Sequence, residues 1–113
     1  MTLHELYDTA QKAGFEAFYC NGNQGVLVYA PGEEGWCVNA YSTHEMYIAD
    51  SPVAKHHTTK TVLSWGKSKH IDYTNMKPID FENKLNQILN DLTYARKQIQ
   101  LRKNLNQIQK DFK

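Results

Sequence analysis

Any catalytic chemistry in this chain has to come from five histidines, two cysteines and twelve carboxylates. His56 and His57 are adjacent, so on an extended strand they point to opposite faces and need a loop to converge on a metal. His44 and His70 can join them, with Cys20, Cys37 or Asp50 as further ligands, but no HExxH or CxxC spacing ties the set together. A nucleophile–base pair of Cys20 or Cys37 with His44 has no supporting spacing either, and a cysteine on a strand usually packs as a small hydrophobe. Gly66-Lys67-Ser68 lacks the upstream glycine of a phosphate-binding GxxxxGK[ST] loop. Gly22, Gly25, Gly32 and Gly35 are spaced as turn glycines, with no dinucleotide fingerprint. A metal-dependent nuclease needs converging carboxylates, and the acids here are scattered over turns and helices. The expectation is a binding protein with no catalytic residue, no metal site and no cofactor.

The cations carry more pattern. Net charge is +1, yet residues 1–50 hold seven acids against Lys12 alone, and residues 51–113 hold twelve bases against five acids. The halves therefore carry −6 and +7, which predicts two electrostatic poles able to orient docking and argues against a simple DNA mimic. Lys55 to His70 contains Lys55, Lys60, Lys67 and Lys69 without any acid, beside Trp65 and Tyr73. That composition suits phosphate neutralisation with aromatic stacking, and equally suits a solvated hairpin whose Trp enters the core. A second group comprises Arg96, Lys97, Arg102, Lys103 and Lys110. Seven tyrosines fit a surface rich in rigid amphipathic anchors, with at least half of the rings expected in the core.

The elements that must position these groups follow from pattern. Thr2-x-x-Glu5 is a capping box ahead of Leu3, Leu6, Tyr7 and Ala10, and predicts a helix over about residues 2–13 ended by Gly14. Phe15–Cys20, Val26–Tyr29, Trp36–Tyr41, Met46–Ala49, Thr59–Trp65 and His70–Tyr73 read as strands separated by turn residues. In the third of these, alternation places Trp36, Val38 and Ala40 on one face and Cys37, Asn39 and Tyr41 on the other. Five or six strands without intervening helices make an antiparallel meander. Asp80 then reads as the N-cap of a long C-terminal helix, since neither Gly nor Pro occurs from there to Phe112. The fold class is α+β, one domain of 113 residues, with helix and sheet over 1–79 and the long helix over 80–113.

The long helix changes face. At 100° per residue Leu85, Ile88, Leu92, Ala95 and Ile99 lie close to Phe81, whereas Leu101, Leu105, Ile108 and Phe112 fall almost opposite. Unbroken, it is about 48 Å long at 1.5 Å per residue, against about 30 Å for a globular domain of this size. Three arrangements satisfy this. A break near Gln98–Gln100 folds the end back, the distal seam pairs with a second copy as a homodimer, or it docks on a different macromolecule. An exposed Leu-Leu-Ile-Phe stripe would otherwise invite aggregation.

Small size, motif poverty, richness in Asn, Gln, Lys and Tyr and a long terminal helix together resemble the orphan inhibitors of phages and mobile elements, of which the anti-CRISPR proteins are a known group. The resemblance implies a phage-encoded inhibitor that occludes a host protein or nucleoprotein, and the Asn/Lys/Ile usage fits a low-GC host and a Cas9-type effector. On this reading the basic residues meet acids or phosphates of RNA or DNA, and the Leu101–Phe112 seam holds the partner or a second copy. A nucleic-acid-binding protein is the alternative, and a small nuclease the third. No apolar run approaches the roughly 20 residues of a membrane span, and Met1-Thr-Leu-His-Glu carries no leader pattern. The expected location is therefore cytoplasmic, without a membrane partner.

Overall fold

The computed structural model describes residues 1–58 and 60–111, with 109–111 described by backbone alone. Thr2 opens helix α1 (Leu3–Lys12). Its hydroxyl accepts from the Glu5 N–H at 3.1 Å, and the Glu5 carboxylate accepts from the Thr2 N–H at 2.9 Å. Two donors that the helix start would leave orphaned are thereby satisfied. Leu3, Leu6, Thr9 and Ala10 form the buried stripe, and Gly14, at φ +90°, turns the chain into the first strand.

The strands are β1 (Glu16–Cys20), β2 (Gly25–Tyr29), β3 (Trp36–Ala40), β4 (Glu45–Ile48), β5 (Val53–His56), β6 (Thr61–Ser64) and β7 (Lys69–Asp72). Five of them form an antiparallel sheet in the order β1-β2-β3-β4-β7, while β5 and β6 form a separate two-stranded hairpin. With α1 before the sheet and a long helix, α2 (Pro78–Asp111), after it, the molecule has the expected α+β architecture. Strand β5 has no counterpart in the sequence pattern. Thr59, placed in a strand by its composition, lies outside the described residues.

Inner-face positions Ala17, Val26, Val28, Val38, Ala40, Met46 and Ile48 form one core with Leu6 and Ala10 of α1 and Phe81, Leu85, Ile88 and Leu92 of α2. Both helices therefore lie on the same side of the sheet. Gly25 permits the β2–β3 pairing, because a Cβ there would sit 2.7 Å from the Ala40 carbonyl oxygen. In β3 the register runs from Val28↔Val38 to Tyr29↔Trp36, which makes Cys37 the extra residue of a β-bulge. The bulge corrects the simple alternation: Val38 and Ala40 share one face as expected, the inner one, and Cys37 is buried, but Trp36 is carried to the outer face.

Helix α2 starts at Pro78, two residues before the expected Asp80 cap. Proline at the first helical position costs no hydrogen bond, and Asp80 lies instead in the first turn, where a negative charge is favourable. The helix then continues without interruption to Asp111, so the break near Gln98–Gln100 does not occur. Its 34 residues span about 51 Å at 1.5 Å each, and the molecule measures 57 × 23 × 19 Å. Phe81, Leu85, Ile88, Leu92 and Ala95 are buried, Ile99 is half-buried, and Leu101, Leu105 and Ile108 are exposed.

Candidate functional site

The first candidate surface is the outer face of the sheet, which neither helix covers. Cross-strand register assembles it. Phe18 pairs with Leu27, Leu27 with Asn39, Asn39 with Tyr47 and Tyr47 with His70, giving one row across all five strands. A neighbouring row joins Glu16, Tyr29 and Trp36. Phe18 packs edge-on against Tyr29 at 5.8 Å. Phe18, Trp36, Tyr41 and Tyr47 remain exposed, Phe18 by 54%.

At the β4–β7 end the rings are locked together. Tyr41 Oη donates to Glu45 Oε2 at 2.8 Å and lies 2.7 Å from His70 Nε2. The Tyr47 ring sits 5.5 Å from Tyr41 and 5.0 Å from His70. The hydrogen bond to Glu45, with some desolvation, pushes the Tyr41 hydroxyl up to about 12, so it stays a neutral donor and a poor acid–base catalyst. The face is bordered by Glu16, Glu45 and Asp72; Thr74, donating from both its N–H and its hydroxyl, holds the Asp72 carboxyl below its usual range. Aromatic rings with acids at the rim suit a protein contact, since a nucleic-acid platform needs cations along the backbone track.

The second candidate surface is a basic pole. The β5–β6 hairpin packs against α2, so the two acid-free stretches of sequence, 51–70 and 92–110, are brought together. Of the cations singled out from sequence, Arg96 and Lys69 are engaged within the fold among the described residues. Arg96 donates to the Pro31 carbonyl (2.5 Å) and to Glu33 (3.0 Å), tying the β2–β3 turn to α2. Lys69 lies 3.9 Å from Asp50. Lys55, Lys60, Lys67, Lys97 and Lys103 are exposed, and Arg102 is half-buried with its Nε buried and unbonded among the described residues. The seam residues Leu101, Leu105 and Ile108 are open to solvent; Phe112 and the Lys110 side chain lie outside the described residues.

The other sequence candidates are dispersed. Trp65 is half-buried against the core and Tyr73 is fully buried, its hydroxyl donating to the Ser42 carbonyl. Neither ring stacks beside the lysines. Tyr73 is the only tyrosine fully buried, fewer than the expected half. Burial pushes the Cys37 thiol up to about 12, which removes it as a nucleophile at neutral pH. His56 meets Thr61 Oγ1 at 2.9 Å and His44 meets Thr43 Oγ1 at 3.0 Å. Among the described residues no three His, Cys, Asp or Glu side chains come close enough to hold a metal ion.

The aromatic face was not picked out from sequence. Its signal was present: Val26-Leu27-Val28-Tyr29 is apolar on both faces of its strand, while two helices suffice to cover only one face of the sheet. Comparison with protein-family models, with curated proteins and with solved structures gives no match.

Proposed function

We infer that the chain is a non-catalytic binding protein that covers a surface of a partner macromolecule, with the open sheet face as its principal contact. The observation that carries this reading is the set of exposed rings on the open sheet face, Phe18, Trp36, Tyr41 and Tyr47. Tyrosine and tryptophan bury large area at little entropic cost and dominate binding hot spots. The acidic rim favours a protein partner with complementary cations. In its most specific form the reading is of a phage-type inhibitor that occludes a host nucleoprotein such as a CRISPR–Cas effector. The aromatic face then grips protein while the basic pole lies toward RNA or DNA. A second reading, direct nucleic-acid binding, draws on the packing of both acid-free stretches into one pole.

The test compares the native chain with Trp36→Ala/Tyr47→Ala as bait in host lysate, with and without nuclease. The expected result is a protein that survives nuclease treatment and is lost with the double variant, whose thermal transition stays within a few degrees of native because both rings are part-exposed. Capture that disappears with nuclease, and that the double variant retains, transfers the function to nucleic-acid binding.

A further inference from the structure

The distal half of α2 and the edge of β5 line a pair of clefts that share no residue with the aromatic face. One cleft of about 240 Å³ is lined by Pro52, Val53, Tyr94 and Gln98 among others. The next, about 250 Å³, is lined by His56, Gln98, Leu101, Arg102 and Leu105. Gln98 lines both, so the two clefts follow one another along α2. Along α2, Tyr94, Gln98, Leu101 and Leu105 of these clefts and Ile108 beyond them follow the alternating four-and-three spacing of a coiled-coil seam. Tyr94, Leu101, Leu105 and Ile108 are each more than half exposed.

We propose that these clefts bind an acidic amphipathic helix of another protein. The seam supplies the apolar half of the match, and the charges flanking it supply the rest. In heptad terms Lys97 and Arg102 border the seam, His56 lines the same cleft as Leu101 and Leu105, and no acid occurs between residues 92 and 110. Asp91 closes the proximal end, so the complementary stretch runs from Gln98 outward. Arg102 is half-buried and lines the cleft, where its guanidinium can pair with a glutamate on the occupant.

The same charges disfavour a second copy. Paired in parallel, Lys97 of one chain meets Arg102 of the other; paired antiparallel about the Leu101–Leu105 layer, Arg102 meets its own counterpart. Duplex nucleic acid would satisfy the cations but leave the leucine seam without an apolar partner.

The probe is a labelled synthetic helix about three heptads long, with Leu and Ile at the seam positions and Glu at both flanks. A control peptide carries Lys at the flanks. Fluorescence anisotropy on the full chain should show saturable binding of the Glu peptide, with the Lys peptide at least about tenfold weaker. Leu105→Glu should abolish binding, Arg102→Gln should weaken it about fivefold, and Trp36→Ala/Tyr47→Ala should leave it unchanged, which separates this site from the sheet-face reading. Circular dichroism checks that each variant is folded. Equal affinity for both peptides, or none for the Glu peptide, overturns the proposal. So does a native chain that sediments as a dimer and becomes monomeric with Leu105→Glu, or a duplex RNA that binds through Lys97 and Arg102 more tightly than the Glu peptide.

Discussion

Hydrogen-bond saturation decides what individual side chains can do here. Tyr41 spends its proton on Glu45 and its oxygen on His70, so the three groups serve as a brace for the ring cluster. Tyr73 is the buried counterpart: its hydroxyl donates to the Ser42 carbonyl, and burial pushes it up to about 12 from an ordinary 10.0. Because the folded state holds this proton more tightly, the associated stability is present below pH 10 and is lost as pH rises toward 12. Tyr73→Phe should therefore cost about 1 kcal/mol at neutral pH through the lost hydrogen bond. The gap between variant and native chain should close above pH 10, where the native hydroxyl's advantage disappears. Urea midpoints at pH 7 and pH 11 measure both; a gap that widens with pH would show that the phenol is not held neutral by the fold.

Among the elements, those with local signatures were legible in sequence. The Thr2–Glu5 box, the face change along α2 and most strand positions were all readable, because capping, helical periodicity and turn residues are short-range effects. What escaped depends on tertiary context. Val53-Ala-Lys-His56 has no alternation and becomes a strand only because the hairpin lies along α2. Trp36 reached the outer face through a single-residue bulge that no composition signals, and with it went the view of the candidate site. The acid-free cation stretches were visible as residues, but the pairing of Arg96 with Glu33 and of Lys69 with Asp50 was not. The face change along α2 has an energetic counterpart. Leu85 is fully buried and Leu105 is 55% exposed. Leu85→Ala should destabilise the chain by about 2–5 kcal/mol, while Leu105→Ala stays within about 0.5 kcal/mol. Chemical denaturation of the two variants side by side checks this; equal losses would mean that the distal seam is packed in solution.

For the molecule as a whole, nearly zero net charge conceals a strong division. The β5–β6 hairpin and distal α2 gather bases, and Glu5, Asp8, Glu16, Glu33 and Glu34 belong to the earlier elements and turns. The molecule is 57 Å long, several times the Debye length of about 10 Å at 0.1 M salt. A charged surface near the distal end of α2 therefore senses the bases there more strongly than the net charge of the chain. At low salt and neutral pH the chain should bind a cation-exchange matrix despite its net charge of only +1. Lys97→Glu/Lys103→Glu and Lys12→Glu/Lys84→Glu change the formal charge equally, yet only the first pair lies on the pole. The first double variant should elute at clearly lower salt than the second. Elution at the same salt would mean that the matrix senses net charge alone, and that long-range steering toward an acidic partner has no basis in this charge distribution.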